Sequence, residues 1–395
     1  MKKLIALLLA CVMVLGLVAC GNDAPETTAP AAGGETTPAE STPAESTPAA
    51  EGTEYKVAMI TDYGDITDQS FNQTTYEGCK EYCDANGVAF TYYKPSTDAD
   101  AERIAMVDAA VADGYNIIVL PGYAFAATVM ATAEMYPDVK FFALDVGEGD
   151  FGDYVLPENV YSAVYQEELS GYMAGYAAVK LGYKHLGYLG GMAVPAVMRF
   201  GYGYLQGIDA AAKELGITGE VKVEYVYGNT FSGDADITAV MDTWYSEMGV
   251  EVVFACGGGI YTSAAEAAAK AGGKVIGVDV DQAAIIDGVY GEGMTVTSAM
   301  KGLAPTVKDT LKDVIENGNW ANYGGKIATL GLASADPEAN YVQIPMGSTQ
   351  FGEGFTQDDY KALVAAMFDG TIVVSNDIAE MPATEVTVET YANIK

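Results

Sequence analysis

Residues 61–73, with the sequence TDYGDITDQSFNQ, place three carboxylates, a phenylalanine and three asparagine or glutamine amides directly after an apolar run. A loop between a first strand and a first helix is where many α/β proteins hold a ligand. A phosphate site would need glycine-rich backbone and often a lysine, but this loop has one glycine and no base. Because carboxylates accept hydrogen bonds from paired N–H or O–H groups, the loop favours a neutral ligand rich in donors.

Residues of the same chemical character follow the other predicted strands. The set comprises Asp62, Phe71, Asn72, 122–123, Asp145, 190–192, 229–232, 257–259, Asp279, Asp281 and Lys301. Vicinal sugar hydroxyls and the N–H edge of a nucleobase both offer donor pairs to carboxylates, and two aromatic side chains can sandwich a planar ring. Glycines let the backbone approach a ligand closely. The set indicates a flat, donor-rich ligand that carries hydroxyl groups.

Each of these features also has a structural explanation, which the sequence leaves open. Asp65 and Asp68 precede a helix, where aspartate is a common N-cap. Phe71 and Phe231 could each pack inside the core of their own domain. Residues 257–259 fit a tight turn as well as a ligand contact, and they lack a full dinucleotide fingerprint.

Apolar, β-branched strands alternate with helical stretches along most of the chain. Strands are predicted at 55–61, 89–95, 116–122, 140–146, 160–165, 185–191, 221–229, 251–256, 274–280 and 294–300. Helices are predicted at 70–86, 99–113, 124–136, 166–182, 195–215, 233–248, 260–272 and 302–317. Strands that are apolar on both faces and alternate with helices indicate parallel sheets covered on both sides.

The alternating series occurs twice, up to about Tyr165 and again from His185. This repetition predicts an α/β protein with two doubly wound lobes and a cleft at the carboxyl ends of both sheets. In the tail we predict a helix at about 356–369 and a strand at 371–375.

The amino-terminal segment predicts export and a membrane anchor. Residues 4–19 form an apolar run that is shorter than the roughly 20 residues of a membrane span and fits a secretory signal, which we place at 1–19. Leu-Val-Ala-Cys at its end resembles the bacterial lipobox, whose cysteine, here Cys20, is lipidated. The alternative is a plain signal peptide with a chance cysteine. The Thr-, Pro- and Glu-rich residues 20–54 predict a disordered tether.

The charge of the chain excludes one class of partner. The sequence holds 54 acidic and 20 basic residues. Without the leader and the tether, 47 acidic residues stand against 18 basic ones, a net charge near −29. Such a surface repels nucleic-acid backbones and anionic membranes, so we expect no nucleic-acid partner.

Cysteine and histidine usage limits the chemistry further. Beyond the leader and Cys20, the odd number of cysteines (Cys79, Cys83 and Cys256) implies no disulfide framework. We interpret Cys79 and Cys83 as small buried thiols rather than as a disulfide or a metal clip. The single histidine, His185, excludes a histidine-rich metal site, and at a strand start it is interpreted as structural. We expect no metal and no cofactor.

Four segments of the sequence resemble the basic membrane protein family. They are VAMITDYGDITDQSFNQTTYEG, GGMAVPAVMRFGYGYLQGIDAA, YGNTFSG and VIGVDVDQ with the following TSAMKG. These proteins are lipid-anchored solute-binding proteins of ABC transporters, and the family includes purine nucleoside receptor lipoproteins. The likeness covers nearly all of 55 to about 320 in order.

The resemblance implies the type I periplasmic-binding-protein fold, two doubly wound lobes joined by a hinge of crossing strands. On that basis the amino-terminal lobe is expected to hold 55–165 plus about 300–330. The carboxyl-terminal lobe is expected to hold 166–299 plus about 331–395.

The resemblance also implies roles for residues at the base end of a bound nucleoside. In nucleoside-binding members the base is stacked between two aromatic side chains, which correspond here to Phe71 and Phe231. Asp62 and Asn72 would bond the edge of the base.

Other residues are implied at the sugar end. Asp279 and Lys301 would hold the ribose, and Asp145 and the backbone of Gly258 would make further contacts. One departure from the family pattern is the Tyr-Gln pair at 165–166, where the family commonly has Phe-Arg, so a cation is absent near the hinge.

The expected function is that of a non-enzymatic, lipid-anchored protein on the extracytoplasmic face of the cell membrane. It would capture a nucleoside, expected to be a purine nucleoside, and deliver it to an ABC permease. The alternatives are a nucleoside-processing enzyme, such as a hydrolase, and a ligand-sensing lipoprotein for a membrane receptor. Against an enzyme, the sequence shows no set of base, nucleophile and oxyanion donors.

Overall fold

A computed structural model describes residues 54–395. The predicted signal peptide, the lipidation site Cys20 and all but the last residue of the predicted tether lie outside these residues. Among the helices of the described range, none is long and apolar enough to cross a membrane.

The described residues form thirteen strands and eleven α-helices. The strands are β1 (Lys56–Ile60), β2 (Ala89–Tyr93), β3 (Ile117–Pro121), β4 (Lys140–Leu144), β5 (Val160–Tyr165), β6 (His185–Gly190), β7 (Lys222–Tyr227), β8 (Val252–Cys256), β9 (Lys274–Asp279), β10 (Thr295–Lys301), β11 (Lys326–Leu330), β12 (Val342–Gln343) and β13 (Thr387–Thr390). The helices are α1 (Phe71–Asn86), α2 (Asp100–Ala112), α3 (Ala126–Thr132), α4 (Glu148–Phe151), α5 (Glu167–Lys180), α6 (Pro195–Leu215), α7 (Ala235–Thr243), α8 (Tyr261–Ala271), α9 (Ala283–Tyr290), α10 (Leu303–Glu316) and α11 (Gln357–Phe368).

The strands form two sheets with the same internal order. The first sheet runs β11-β5-β4-β3-β1-β2, and the second runs β12-β10-β9-β8-β6-β7-β13. All the pairings are parallel except that of β10 with β12. In each sheet the strand order reverses beside the first strand, between β1 and β3 and between β6 and β8. A ligand crevice forms at such switch points, outside the carboxyl ends of the strands.

The central strands are buried on both faces, which is why their sequences are continuously apolar. Every residue of β3 and of β8 is buried, whereas every residue of the edge strand β2 is exposed or half-buried. The chain passes between the sheets after β5, after β10 and after β11. We call the body around the first sheet the N-lobe and the body around the second the C-lobe.

The ten predicted strands and eight predicted helices are confirmed, with bounds that differ by a few residues. The short helix α4, the helix α9 and the strands β11, β12 and β13 were not predicted. Helix α9 is only eight residues long, and its AAIIDGVY sequence contains three β-branched residues and a glycine, which weakens a helical signal. The predicted helix in the tail is confirmed as α11.

The predicted strand at 371–375 is wrong. Ile372 and Val374 pack against the C-lobe core, and Val373 faces solvent, so the alternation of a strand is present. The backbone of Ser375 instead bonds the side chain of Gln206, donating to its Oε1 and accepting from its Nε2, both at 2.9 Å. With these groups bonded to a helix side chain, the segment joins neither sheet.

The sheet edge next to β7 is covered by a later part of the tail. Strand β13 pairs with β7 in parallel register. Just before it, the N–H groups of Glu385 and Val386 donate to Asp209 of α6, at 2.6 and 3.1 Å. After it, the hydroxyl of Tyr391 donates to the buried Glu224 of β7, which also pairs with His185 at 2.7 Å. His185 therefore has a structural contact with Glu224, in agreement with the structural role predicted for it.

The three cysteines of the described residues are free and buried. Cys79 and Cys83 both lie on the face of α1 that packs against the N-lobe core. The interpretation of this pair as small buried thiols is confirmed.

Candidate functional site

A cavity of about 410 Å³ lies at the carboxyl ends of both sheets, between the lobes. Its volume is within the range of small-molecule sites. Eight residues singled out from the sequence contribute to its lining: Asp62, Phe71, Asn72, Asp145, Phe231, Gly258, Asp279 and Lys301. The structure thus brings the whole predicted set together, and the binding role of each member stays a prediction.

Asp62 is held in place by the loop that follows β1. Its Oδ1 accepts from the N–H groups of Tyr63 and Gly64, each at 2.6 Å, and from Nδ2 of Asn72 at 3.2 Å. Burial raises the pKa of Asp62, while the two N–H groups act to lower it. Gly122, after β3, lies close to the other carboxylate oxygen, since a Cβ at that position would be 3.4 Å from Oδ2.

The two further aspartates of this loop have different roles. Asp68 accepts from the N–H groups of Ser70, Asn72 and Gln73 at 2.9–3.1 Å, so it caps α1 as predicted. Asp65 does not cap the helix. It is exposed and pairs with Lys94 at 2.6 Å, because the chain turns between Asp65 and Asp68 and directs its side chain away from the helix end.

Phe231 occupies a space that glycines leave open. A Cβ on Gly257 would lie 2.8 Å from its ring, and a Cβ on Gly191 would overlap the ring. Gly257 and Gly258 also have φ angles of 153° and 51°, which favour glycine. The glycines after β6 and β8 therefore admit an aromatic side chain to the C-lobe wall of the cavity.

Two of the carboxylates that line the cavity sit on left-handed backbone. Asp145 directly follows β4 and has φ 59°, and Asp279 is the last residue of β9 and has φ 64°. Residues other than glycine adopt this conformation rarely, and aspartate is among those that tolerate it best. In both lobes, the left-handed conformation at the end of a strand turns one carboxylate toward the cleft.

Lys301 is the more deeply buried of the two lysines in the cavity lining. Its Nζ is 2.5 Å from Asp145 of the N-lobe, 3.4 Å from Glu167 and 3.6 Å from Asp279 of the C-lobe. Burial acts to lower the pKa of Lys301, but the three carboxylates outweigh it and hold the pKa above its usual value. For Asp145 burial raises the pKa, and Lys301 acts in the opposite direction. The ammonium also lies 4.8 Å from the ring centre of Phe71.

The lobes touch across the cleft beside the cavity. The hydroxyl of Ser70 donates to Asp279 at 2.6 Å. The side-chain amide of Gln282 donates to the carbonyl of Gln69 at 3.1 Å. With the Lys301–Asp145 pair, these contacts join the residues just before α1 and the residue just after β4 to the C-lobe, so the cleft is closed.

Several residues around the site were not singled out from the sequence. Residues 194–197 and Phe200, at the start of α6, line the C-lobe side of the cavity. Glu167 and Arg199 lie just behind Lys301 and pair with each other at 2.6 Å. The sequence did contain a signal for this pair. Arg199 is the only charged residue in an otherwise apolar half of α6, a pattern that indicates a buried partner of opposite charge.

The departure at 165–166 lies where the chain first crosses between the lobes. The hydroxyl of Tyr165 donates to Thr306 of α10 at 3.0 Å. The N–H of Gln166 donates to the carbonyl of Leu330 at 2.9 Å, and its side chain lies over Gly331. Gln166 therefore ties the first crossing to the third.

Within residues 54–395, no group of three or more histidine, cysteine, aspartate or glutamate side chains has a geometry that could hold a metal ion. The cavity lining supplies carboxylates, aromatic rings and one buried ammonium.

Comparison with known proteins gives the family. Residues 55–338 match the Bmp family model, described as ABC transporter substrate-binding protein PnrA-like. The chain belongs to this family. It is thus a substrate-binding protein of the ABC-transporter type, and the resemblance stated from the sequence is confirmed.

Two Bmp relatives show how far the likeness extends. The ABC transporter nucleoside-binding protein BmpA of Lactococcus lactis subsp. cremoris is 29% identical over 299 residues, which are 71% of this chain and 80% of the relative. Basic membrane protein B of Borreliella burgdorferi is 28% identical over 294 residues, 70% of this chain and 78% of the relative.

A solved structure supports the fold. An ABC transporter solute-binding protein from Aeropyrum pernix K1 superposes with a TM-score of 0.62 at 22% identity, over 82% of this chain and 88% of that one. Together with the two parallel sheets, this confirms the type I periplasmic-binding-protein fold.

Proposed function

We propose that this Bmp-family protein captures purine nucleosides in the cleft between its lobes and presents them to an ABC permease for import. The observation that carries the proposal is the composition of one cavity. It combines an aromatic side chain from each lobe, carboxylates that accept hydrogen bonds and a single buried ammonium. A relative described as nucleoside-binding supports the same class of ligand.

In this proposal the base lies between Phe71 and Phe231. Stacking on an aromatic side chain contributes about 1–3 kcal/mol per base and tolerates different bases. Asp62 and Asn72 stand on the N-lobe side of the cavity, hydrogen-bonded to each other, and would bond the base edge. Asp145, Asp279, Lys301 and the backbone of Gly258 would serve the sugar.

The proposal includes a lipid anchor on Cys20 that holds the protein at the extracytoplasmic face of the membrane. The lipobox-like Leu-Val-Ala-Cys supports it, as does the acidic tether sequence that follows. Mass spectrometry of the protein extracted from membranes tests this part. The expected result is an acylated amino-terminal cysteine, and a mature chain that begins elsewhere contradicts it.

Calorimetric titration of the purified protein tests the ligand. Inosine, guanosine and adenosine should bind with micromolar or lower dissociation constants, whereas ribose and glucose should give no heat. Binding of sugars alone would reject the nucleoside proposal and leave the fold unaffected.

A matched pair of variants tests the site. Asp62→Asn keeps the shape and the Oδ1 acceptor but replaces one carboxylate oxygen with a donor, so affinity should fall by an order of magnitude or more. The control is Asp84→Asn on the exposed face of α1, which should bind as the wild type does. Equal affinity in both variants would remove Asp62 from the site.

A further inference from the structure

We propose that Arg199 and Glu167 are positioning residues for ligand binding, which act by fixing the ammonium of Lys301 at the base of the cleft. Neither residue is part of the cavity lining. The inference rests on the proposed function, since it concerns affinity for the same ligand.

The three side chains form a chain of contacts that runs from Arg199 through Glu167 to Lys301 in the cavity lining. Arg199 Nε donates to Oε2 of Glu167 at 2.6 Å, and the second oxygen, Oε1, lies 3.4 Å from Nζ of Lys301. Glu167 is fully buried, and Arg199 is half-buried. Oε1 has no hydrogen-bond partner among the described residues, so its remaining interaction is the charge of Lys301.

The contacts of Lys301 divide between the lobes in a way that gives Glu167 a separate role. Glu167, Arg199 and Asp279 all belong to C-lobe elements, and Asp145 alone comes from the N-lobe. When the lobes separate, Lys301 must lose Asp145, but Glu167 moves with it. Glu167 therefore keeps a long, flexible side chain ordered before the ligand arrives, which lowers the entropy lost on binding.

Arg199 balances the charge that Glu167 brings. Without the guanidinium, Lys301 would be the only cation paired with the buried carboxylate of Glu167. The carboxylate would then draw Lys301 away from Asp145 and Asp279. With Arg199 paired to one oxygen of Glu167, the other oxygen contacts Lys301 on the side away from the cleft. The remaining N–H groups of the Lys301 ammonium are then directed to the cleft. The bond to Arg199 thus sets where Lys301 stands between the two lobes.

The backbone around this chain of contacts is rigid, as a positioning role requires. Glu167 opens α5, and Arg199 lies in the first half of α6. The two helices pack through glycines so closely that a Cβ on Gly171 would overlap the carbonyl oxygen of Phe200. The separation of Glu167 and Arg199 is therefore fixed by the backbones and not by the side chains alone.

Calorimetric titration with inosine tests the inference on single and double variants. Arg199→Gln should weaken binding about tenfold, and Arg199→Lys, which restores the charge, should recover most of that loss. In a Glu167→Gln background, Arg199→Gln should add less than about a twofold loss, because the residue through which it acts is already neutral. Lys213→Gln removes an exposed charge from the same helix and should bind as the wild type does.

Three outcomes would overturn the inference. They are wild-type affinity in Arg199→Gln, no recovery in Arg199→Lys, or equal losses from Arg199→Gln in both backgrounds. If the wild type binds no nucleoside, the proposed function fails by itself. Thermal unfolding of the ligand-free Arg199→Gln and Lys301→Met single and double variants then decides the inference, and independent shifts in melting temperature would reject it.

Discussion

The two lobes share a strand order, and each turns one carboxylate to the cleft on left-handed backbone. They differ in what fixes most of the other side chains near the cleft. In the N-lobe, the polar groups at the cleft are fixed by hydrogen bonds. Asp68 accepts from three backbone N–H groups, and Asp62 accepts from two. In the C-lobe, positions are fixed by close backbone packing, with glycines after β6 and β8 around Phe231 and glycines between α5 and α6.

The helix pairs of the two lobes show the difference most clearly. In the N-lobe, α1 packs on α10, and a Cβ on Gly78 would meet Ala304 at 3.0 Å. In the C-lobe, a Cβ on Gly171, Gly175, Gly203 or Gly207 would overlap backbone atoms of the facing helix. In the N-lobe, hydrogen bonds fix the polar groups that would contact a ligand. In the C-lobe, the backbones of α5 and α6 are in direct contact, so the residues that pack between these helices have no space in which to move. We expect the C-lobe to tolerate change less.

The largest effect predicted from this comparison is a dependence of stability on pH that arises in the C-lobe. Burial raises the pKa of Glu168 to about 7, and the neighbouring Glu167 adds to the rise. One oxygen of Glu168 has no partner in the described part of the chain. The half-buried carboxylates Asp62 and Asp68 of the N-lobe, in contrast, accept several hydrogen bonds.

The sign of the effect follows from proton linkage. Between the unfolded pKa of about 4.5 and the folded value near 7, the folded protein binds more protons than the unfolded chain. The free energy of unfolding should therefore fall as the pH rises through this window, by about 3 kcal/mol at most. Urea unfolding of the wild type and of Glu168→Gln at several pH values measures this dependence. The control is Glu81→Gln, on the exposed face of α1. An equal pH slope in Glu168→Gln would contradict the assignment.

The next effect concerns the helix pairs themselves. Gly203→Ala should lower the free energy of unfolding by about 2–3 kcal/mol, because the new methyl group meets the backbone of Glu168. Gly78→Ala should cost less, since Ala304 has only to shift by a few tenths of an ångström. Gly288→Ala, with nothing near its Cβ in α9, should raise stability by about 0.5–1 kcal/mol.

Denaturant unfolding of these three variants measures the order of their free energies of unfolding directly. If Gly203→Ala is no less stable than Gly78→Ala, the two helix pairs are equally tolerant and the contrast between the lobes fails.

A smaller effect separates the two aromatic walls of the cavity. Phe71→Ala and Phe231→Ala should each weaken nucleoside binding about tenfold, within the range for one stacked base. Phe71 also packs against two core clusters of the N-lobe and the hinge, so its loss should lower the melting temperature more than the loss of Phe231. Calorimetry and thermal unfolding measure the two consequences. Unchanged affinity in either variant would remove that ring from the base site.

Much of this architecture was predictable because local signals and tertiary structure agree. Runs such as Ile117–Pro121 are apolar on both faces, as strands buried in parallel sheets must be. The position of a residue after such a strand was sufficient to bring Asp62, Asp145 and Asp279 to one cleft, since strand ends converge in a doubly wound sheet.

What failed depended on partners distant in sequence. Residues 371–375 have the composition of a strand, but composition does not say whether a sheet edge is free, and β13 takes the edge beside β7. The Glu167–Arg199 pair was missed because a charge in a helix usually faces solvent. Its burial became visible only when α5 and α6 were placed against each other.

The smallest predicted effect lies at the contact between the two lobes. Because Asp68 caps α1, the hydroxyl of Ser70 is free to donate across the cleft to Asp279 at 2.6 Å. Ser70→Ala should leave a carboxylate oxygen unpaired in the closed form alone, which costs about 1 kcal/mol. Nucleoside affinity should therefore fall about fivefold through faster dissociation, with little change in the melting temperature. Ser96→Ala, which removes an exposed hydroxyl that donates to Glu102 within the N-lobe, should bind normally. Equal dissociation rates in the two variants would mean that N-lobe hydrogen bonding positions the site without contributing to closure.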